Sequence, residues 1–201
     1  MTSTAKPTRR EQNLADIRQR AEPIAERIVL QEGIDALSAR RLAGDLKISV
    51  GSLYNAFGDL DGVVREVIAR SGAILTERLM AGLQTAEPDR RSRIIALGEA
   101  YLDFALDEPR RWWLLFEYRS DMTPDERSLN TQSQLLRTLI EAGDGDPASE
   151  PQRQFFLVLW ASVHGLVSLA NRKSIFAINP VIARSHIGAL VDAGLGAFPE
   201  T

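Results

Sequence analysis

The sequence predicts an all-α fold, with three short-to-medium helices in front and a bundle of longer helices behind, and three observations carry that expectation. Apolar residues recur at spacings of three and four through most of the 201 residues. Ser and Asp stand at the joints between these runs, where they can cap helices. No stretch alternates apolar and polar residues for long enough to make a strand. The hydrophobic content of 44% is ordinary, so a chain of this length can offset the entropy of folding without metal or covalent staples. It contains no cysteine, which excludes disulfides, and it shows no signal-like leader; the expected setting is the cytoplasm.

The opening "MTSTAKPTRR" is rich in Thr, Ser and Pro and is expected to be disordered in isolation. Leu14, Ile17, Ala21, Ile24 and Ile28 then mark one face of a first helix. Pro23 is expected to kink that helix or to restart it, and Gly33 to stop it. Ser38 precedes "ARRLAGDL" and is placed to cap a short second helix whose inward face is Leu42, Ala43 and Leu46. Ser49 can cap a third, "VGSLYNAF", on which Leu53 and Phe57 lie four apart and point the same way. Gly58 ends it, and Asp59 can cap a fourth.

That fourth helix is sustained by Val63, Val64, Val67, Ile68, Ile74, Leu75 and Leu79 from Leu60 to about Leu83, a length that suits a strut between two domains. Further helices are expected over 91–106, 109–119, 124–142, 151–172 and 179–197, with "EAGDGDPASEP" a loop. The expected domains are 1–58 in front and 59–201 behind. "FFLVLWASVHGLVSLA", residues 155–170, is shorter than the roughly 20 residues of a membrane span and carries Ser162, His164 and Ser168. It predicts a buried helix, and no membrane partner is expected.

Charge is uneven along the chain. Residues 1–56 hold nine basic and seven acidic groups, against fifteen and twenty in residues 57–201, within a total of −3. A mildly basic front on an acidic body suits contact with a polyanion at one end.

Two short capped helices separated by about three residues describe a helix-turn-helix. A major groove about 12 Å wide admits a helix only when its leading face is slim, and Val50, Gly51 and Ser52 supply such a tip. Ile48, Leu53 and Phe57 lock it from behind. Ser49 and Ser52 can donate to phosphates or base edges, Tyr54 can reach a phosphate, and Asn55 can read a base or a backbone oxygen. Ser38, Arg40 and Arg41, at the start of the second helix, face the same backbone. Lys6, Arg9 and Arg10, with Arg18 and Arg20 beyond, are expected to form an arm that adds salt-dependent affinity. The competing interpretation is an ordinary amphipathic helix with a solvated tail.

In the rear, "LWASVHGLVSLA" sets Trp160 and His164 one turn apart on one face. With Phe104, Trp112 and Phe116 they are candidates to line an apolar effector pocket, although each aromatic singly is more often core. "VIARSHIGALVDAGLGAF" has small residues that permit close helix approach, as a dimer interface requires. A homodimer also suits a palindromic duplex, because one short helix reads too few base pairs.

No catalytic residue, metal or cofactor is expected. The two histidines, His164 and His186, lack metal-binding spacing, and there is no Gly-x-Ser-x-Gly elbow, phosphate loop or cysteine nucleophile. "GDGD" from Gly143 begins like a calcium loop but lacks the downstream glutamate, so it predicts a turn.

The run "EGIDALSARRLAGDLKISVGSLYNAF" resembles the DNA-binding domain of the TetR family of bacterial transcriptional repressors, through Gly33, Leu37-Ser38, Leu42-Ala43, Leu46, Ile48-Ser49, Leu53-Tyr54 and Phe57. Trp160, His164 and Gly165 are similar to the Trp-x-x-x-His-Gly signature of a subset of that family's C-terminal domains. The resemblance implies a three-helix DNA-binding domain, a helical regulatory domain, a homodimer built on the last two helices, a palindromic double-stranded operator and a small apolar effector. Three positions depart from the pattern. Lys47 stands where the family usually has glycine, which predicts a non-glycine residue at positive φ at a cost on the order of 1 kcal/mol. Ala56 replaces a common histidine, and Leu60 a lysine that usually meets a phosphate. The loss of that cation keeps open an alternative, a helical ligand- or protein-binding module that has lost DNA binding.

Overall fold

The computed structural model describes residues 8–118, 126–172 and 175–198, and every regular element among them is helical. Helix α1 (Arg9–Glu32) starts from a reciprocal cap. The Thr8 hydroxyl accepts the Glu11 N–H at 3.3 Å, and the Glu11 carboxylate accepts the Thr8 N–H at 2.7 Å. Arg9 and Arg10 therefore sit in the first turn of a helix, which corrects the expectation of a disordered arm there; Lys6 lies outside the described residues. α1 also runs unbroken through Pro23. The proline is on the exposed side, while Ile17, Ala21, Ala25, Ile28 and Val29 are buried around it. Burial of the large aliphatic side chains, roughly 1.5–3 kcal/mol each, outweighs a proline penalty of about 3 kcal/mol.

Gly33, at φ 100°, ends α1, and a single 3-10 turn over Ile34–Ala36 follows. Next come α2 (Ala39–Leu46) and α3 (Val50–Phe57), capped as expected: the Ser38 hydroxyl accepts the Arg41 N–H at 3.3 Å and the Ser49 hydroxyl the Ser52 N–H at 3.0 Å. Asp59 accepts the Gly62 N–H at 2.7 Å at the start of α4 (Leu60–Thr85). The rear helices are α5 (Arg90–Asp107), α6 (Pro109–Phe116), α7 (Glu126–Ala142), α8 (Glu150–Asn171) and α9 (Pro180–Leu195).

The chain divides into two compact units, the first ending at Arg70 and the second beginning at Ser71. The division falls inside α4, whose first turns, with buried Val63, Val64 and Val67, group with the front helices. In the second unit α5 packs against α6, α7, α8 and α9 around Leu102, Phe104, Trp112, Ile140 and Phe156. Gly98 permits the approach of α5 to α9, since a Cβ there would come within 2.8 Å of Ile187 Cγ2. Ion pairs Arg91–Asp192 and Arg184–Asp103 join the same two helices.

α8 is the one helix among the described residues long and apolar enough to cross a membrane by length and composition. The sequence predicts that it is buried, and only one stripe is: Gln152, Phe156, Leu159, Val163, Val167 and Ser168 face the core. Leu157, Val158, Trp160, Ala161 and Gly165 are exposed.

Candidate nucleic-acid interface and aromatic cluster

Leu53 and Ala56 bury the inner side of α3, and Phe57 and Ile48 are half-buried beside them. The outer side is open. Ser49, Gly51, Tyr54 and Asn55 are exposed, Tyr54 at 43%, while Val50 and Ser52 are half-buried. Nothing among the described residues calls for glycine at position 51. An added Cβ would meet only the Ser49 Oγ at 3.8 Å, an ordinary contact, so the missing side chain keeps the outer surface low rather than relieving an internal clash. The Ser49 and Ser52 hydroxyl oxygens are 2.9 Å apart. One of their two protons is used between them, and the other remains for an outside acceptor.

The turn between α2 and α3 is closed by two backbone bonds, Ile48 N–H to the Ala43 carbonyl at 3.0 Å and Lys47 N–H to the Gly44 carbonyl at 3.1 Å. This pairing demands a left-handed residue, usually glycine. Lys47 occupies it at φ 57°, ψ 44°, as the sequence predicts.

The arginines of the first unit separate into two groups. Arg18 donates to the Ala56 carbonyl at 2.7 Å and Arg20 to the Leu46 carbonyl at 2.9 Å, so these two join α1 to the C-terminal ends of α3 and α2. A cation suits the negative end of a helix. This corrects their assignment to a DNA-directed arm, and nothing in their spacing announces the role because both acceptors are more than 25 residues away. Arg41 is held by Glu32 through two bonds of 2.9 and 2.6 Å and also donates to the Ala36 carbonyl. Glu32 holds the Arg41 guanidinium protonated, and its own carboxyl lies below the usual range through the same bond. Arg40 is exposed and forms no ion pair among the described residues.

In the second unit the structure brings together four of the five predicted effector residues. His164 stacks on Trp160 and Trp112, with ring centroids at 4.9 and 5.5 Å, and lies 5.3 Å from Phe116. Phe104 is fully buried in the core and has no ring contact with them among the described residues. Tyr101, absent from the predicted set, is the pivot. Its hydroxyl accepts the Trp112 indole N–H at 2.9 Å and lies 2.7 Å from His164 Nδ1. The described residues place no acceptor other than Nδ1 within reach of the phenol proton, so that proton goes to Nδ1 and the neutral imidazole carries its hydrogen on Nε2. Burial lowers the His164 pKa; the Glu117 carboxylate opposes that shift and Arg172 adds to it. Burial likewise raises the Tyr101 pKa far above its usual value.

These rings pack on one another. A cavity of about 540 Å³ lies instead beside α8 and α9, among Leu166, Ile178, Ile182, His186 and Leu190, and another of about 630 Å³ among Arg90, Asp144, Gln152 and Phe198. Neither is lined by Phe104, Trp112, Phe116, Trp160 or His164. Among the described residues no group of three or more His, Cys, Asp or Glu side chains is placed to hold a metal.

Residues 94–192 match the tetracyclin repressor-like C-terminal domain. Comparison with curated protein sequences gives no match. A protein of unknown function from Rhodococcus sp. RHA1 shares the fold at TM-score 0.71 and 21% identity, with all of both chains covered. A TetR-family transcriptional regulator from Streptomyces coelicolor aligns at TM-score 0.65 and 21% identity, over 90% of this chain and 98% of that one. A TetR-like transcriptional regulator from Rhodococcus sp. RHA1 aligns at 0.59 and 19% identity, over 96% and 100%. Residues 94–192 therefore belong to the tetracyclin repressor-like C-terminal domain family, and with the helix-turn-helix in front the chain has the fold of TetR-family transcriptional regulators.

Proposed function

We propose that this protein is a cytoplasmic DNA-binding repressor that works as a homodimer on a palindromic duplex and is released by a small apolar effector. The observation that carries the DNA-binding reading is the tip of α3, where exposed Gly51, Tyr54 and Asn55 stand over buried Leu53 and Ala56. Val50, Gly51 and Ser52 enter the major groove, Tyr54 and the free Ser49–Ser52 proton meet phosphates, and Asn55 reads an edge. Ser38 and Arg40 support the same strand. Arg41 joins them only by exchanging Glu32 for a phosphate.

Dimerisation is supported by apolar patches on the outer faces of α8 and α9, with Leu157, Val158, Ala161 and Gly165 on one and Ile182 and Ala189 on the other. Gly165 is exposed within α8, and a Cβ there would meet nothing within 4 Å. A mid-helix glycine costs about 1 kcal/mol against alanine, so its place is best explained by a partner's backbone approaching closely. For the effector, Trp160 and His164 are the accessible members of the aromatic cluster, whereas Phe104 and Trp112 are core. Release requires that the effector bind one arrangement of the two DNA-binding heads more tightly than the other, with α4 as the link.

The test is a mobility shift with a duplex from the protein's own upstream region. The wild type should retard it, and Tyr54→Ala or Gly51→Leu should weaken binding at least tenfold while the helical circular dichroism is unchanged. Retardation indifferent to both substitutions would sink the assignment of α3.

A further inference from the structure

Residues 42–64 contain a single lysine or arginine, Lys47, alongside three acidic residues, Asp45, Asp59 and Asp61. This span holds most of α2, the turn, all of α3 and the start of α4, so the segment that must approach a polyanion carries one cation, and that cation stands in the turn. Its backbone is fixed from both sides by the paired bonds from Lys47 and Ile48 to the end of α2, and Ser49 caps α3 two residues on. The direction of its Cα–Cβ bond is consequently set by the fold and not by loop motion.

The conformation at this position favours glycine, and Lys47 adopts it at a cost that glycine would avoid. No packing inside the chain offsets that cost, because the residue is exposed. No carboxylate does either. Asp45, the nearest acid in sequence, lies 3.8 Å from Arg27, and Lys47 forms no ion pair among the described residues. Among the neighbouring first-unit cations Arg18 and Arg20 are committed to carbonyls and Arg41 to Glu32, while Arg40, at the start of α2, is exposed and without an ion pair among the described residues. One internal benefit competes, since a cation at the end of α2 is favoured by the helix dipole.

We propose that Lys47 is a DNA-contacting residue, its ammonium meeting a backbone phosphate beside the groove that α3 enters. The inference rests on the DNA-binding reading above and adds to it a sequence-independent anchor. A lysine is suited to this work, being a point charge on a flexible stem that accepts any phosphate oxygen within reach. It contributes to affinity and its salt dependence, and not to the choice of base.

Two substitutions test it in the full-length protein, Lys47→Gly and Lys47→Gln, each measured for thermal midpoint and for binding to the upstream duplex and to a scrambled duplex across a salt series. Each subunit should lose one phosphate contact. The slope of log K against log salt should become shallower by about 0.9 per subunit, with affinity near 0.1 M salt falling about tenfold per subunit on both duplexes. The glycine variant should melt no lower than the wild type. Equal slopes for wild type and both variants would overturn the inference while leaving the DNA-binding reading intact, as would a loss confined to the upstream duplex. A lowered midpoint in Lys47→Gln with unchanged binding would overturn it in favour of the dipole role. A wild type that retards neither duplex would remove the DNA-binding reading and this inference together.

Discussion

At the scale of single residues the second unit turns on one proton. The Tyr101 hydroxyl accepts from Trp112, which is 2% exposed, and donates to His164, so the three side chains form a chain of bonds that only a neutral imidazole completes. Because burial lowers the folded-state pKa of His164 below its ordinary value of 6.5, the unfolded chain binds a proton at this residue before the folded one does. Stability from this source is complete above about pH 6.5 and is lost as pH falls from there through the folded pKa. We therefore expect a denaturation midpoint that declines below about pH 6.5 in the wild type and declines less in His164→Gln; parallel pH profiles would contradict it. The Trp160–His164 spacing made the pair legible in the sequence. Tyr101 was not legible as its partner, since the bond joins α5 to α8 across 63 residues and no local pattern encodes it.

At the scale of elements, the caps and stops were readable because each is a local rule: Ser38, Ser49 and Asp59 accept the amides they were placed to accept, and Gly33 and Gly58 take positive φ. The continuity of α1 was not readable. Proline weakens a helix locally, whereas the burial that holds this one together comes from packing on both sides of Pro23. Nor were Arg18 and Arg20, which look like arm cations until the folded chain supplies carbonyls. Replacing Arg18 by Ala leaves the end of α3 with a carbonyl that has lost its charged donor. Allowing for its exposure, the expected destabilisation is about 1 kcal/mol, read from chemical denaturation. A midpoint equal to that of the wild type would show that the bond is not a structural tie.

For the whole molecule, the family resemblance and the all-helical architecture follow from the front motif and the rear Trp-x-x-x-His-Gly pattern together, and the helical spans expected from periodicity agree with the observed ones to within a few residues. The effector region was less legible. Aromatic content suggests a shared site without saying which rings form it, and ring geometry groups Trp112, Phe116, Trp160 and His164 while leaving Phe104 apart. Assembly can be tested through Gly165. Since a Cβ there meets nothing within 4 Å, Gly165→Arg should leave the fold intact and yield monomers in sedimentation at micromolar concentration, where the wild type should sediment as a dimer. A dimeric variant would move the interface away from this face of α8.

The position of the imidazole hydrogen also limits what chemistry a visiting molecule must bring. With Nδ1 occupied by the phenol, the ring presents only an N–H to anything else that reaches it. A ketone, ester or ether oxygen can satisfy that hydrogen directly, whereas an alcohol must turn its lone pair inward.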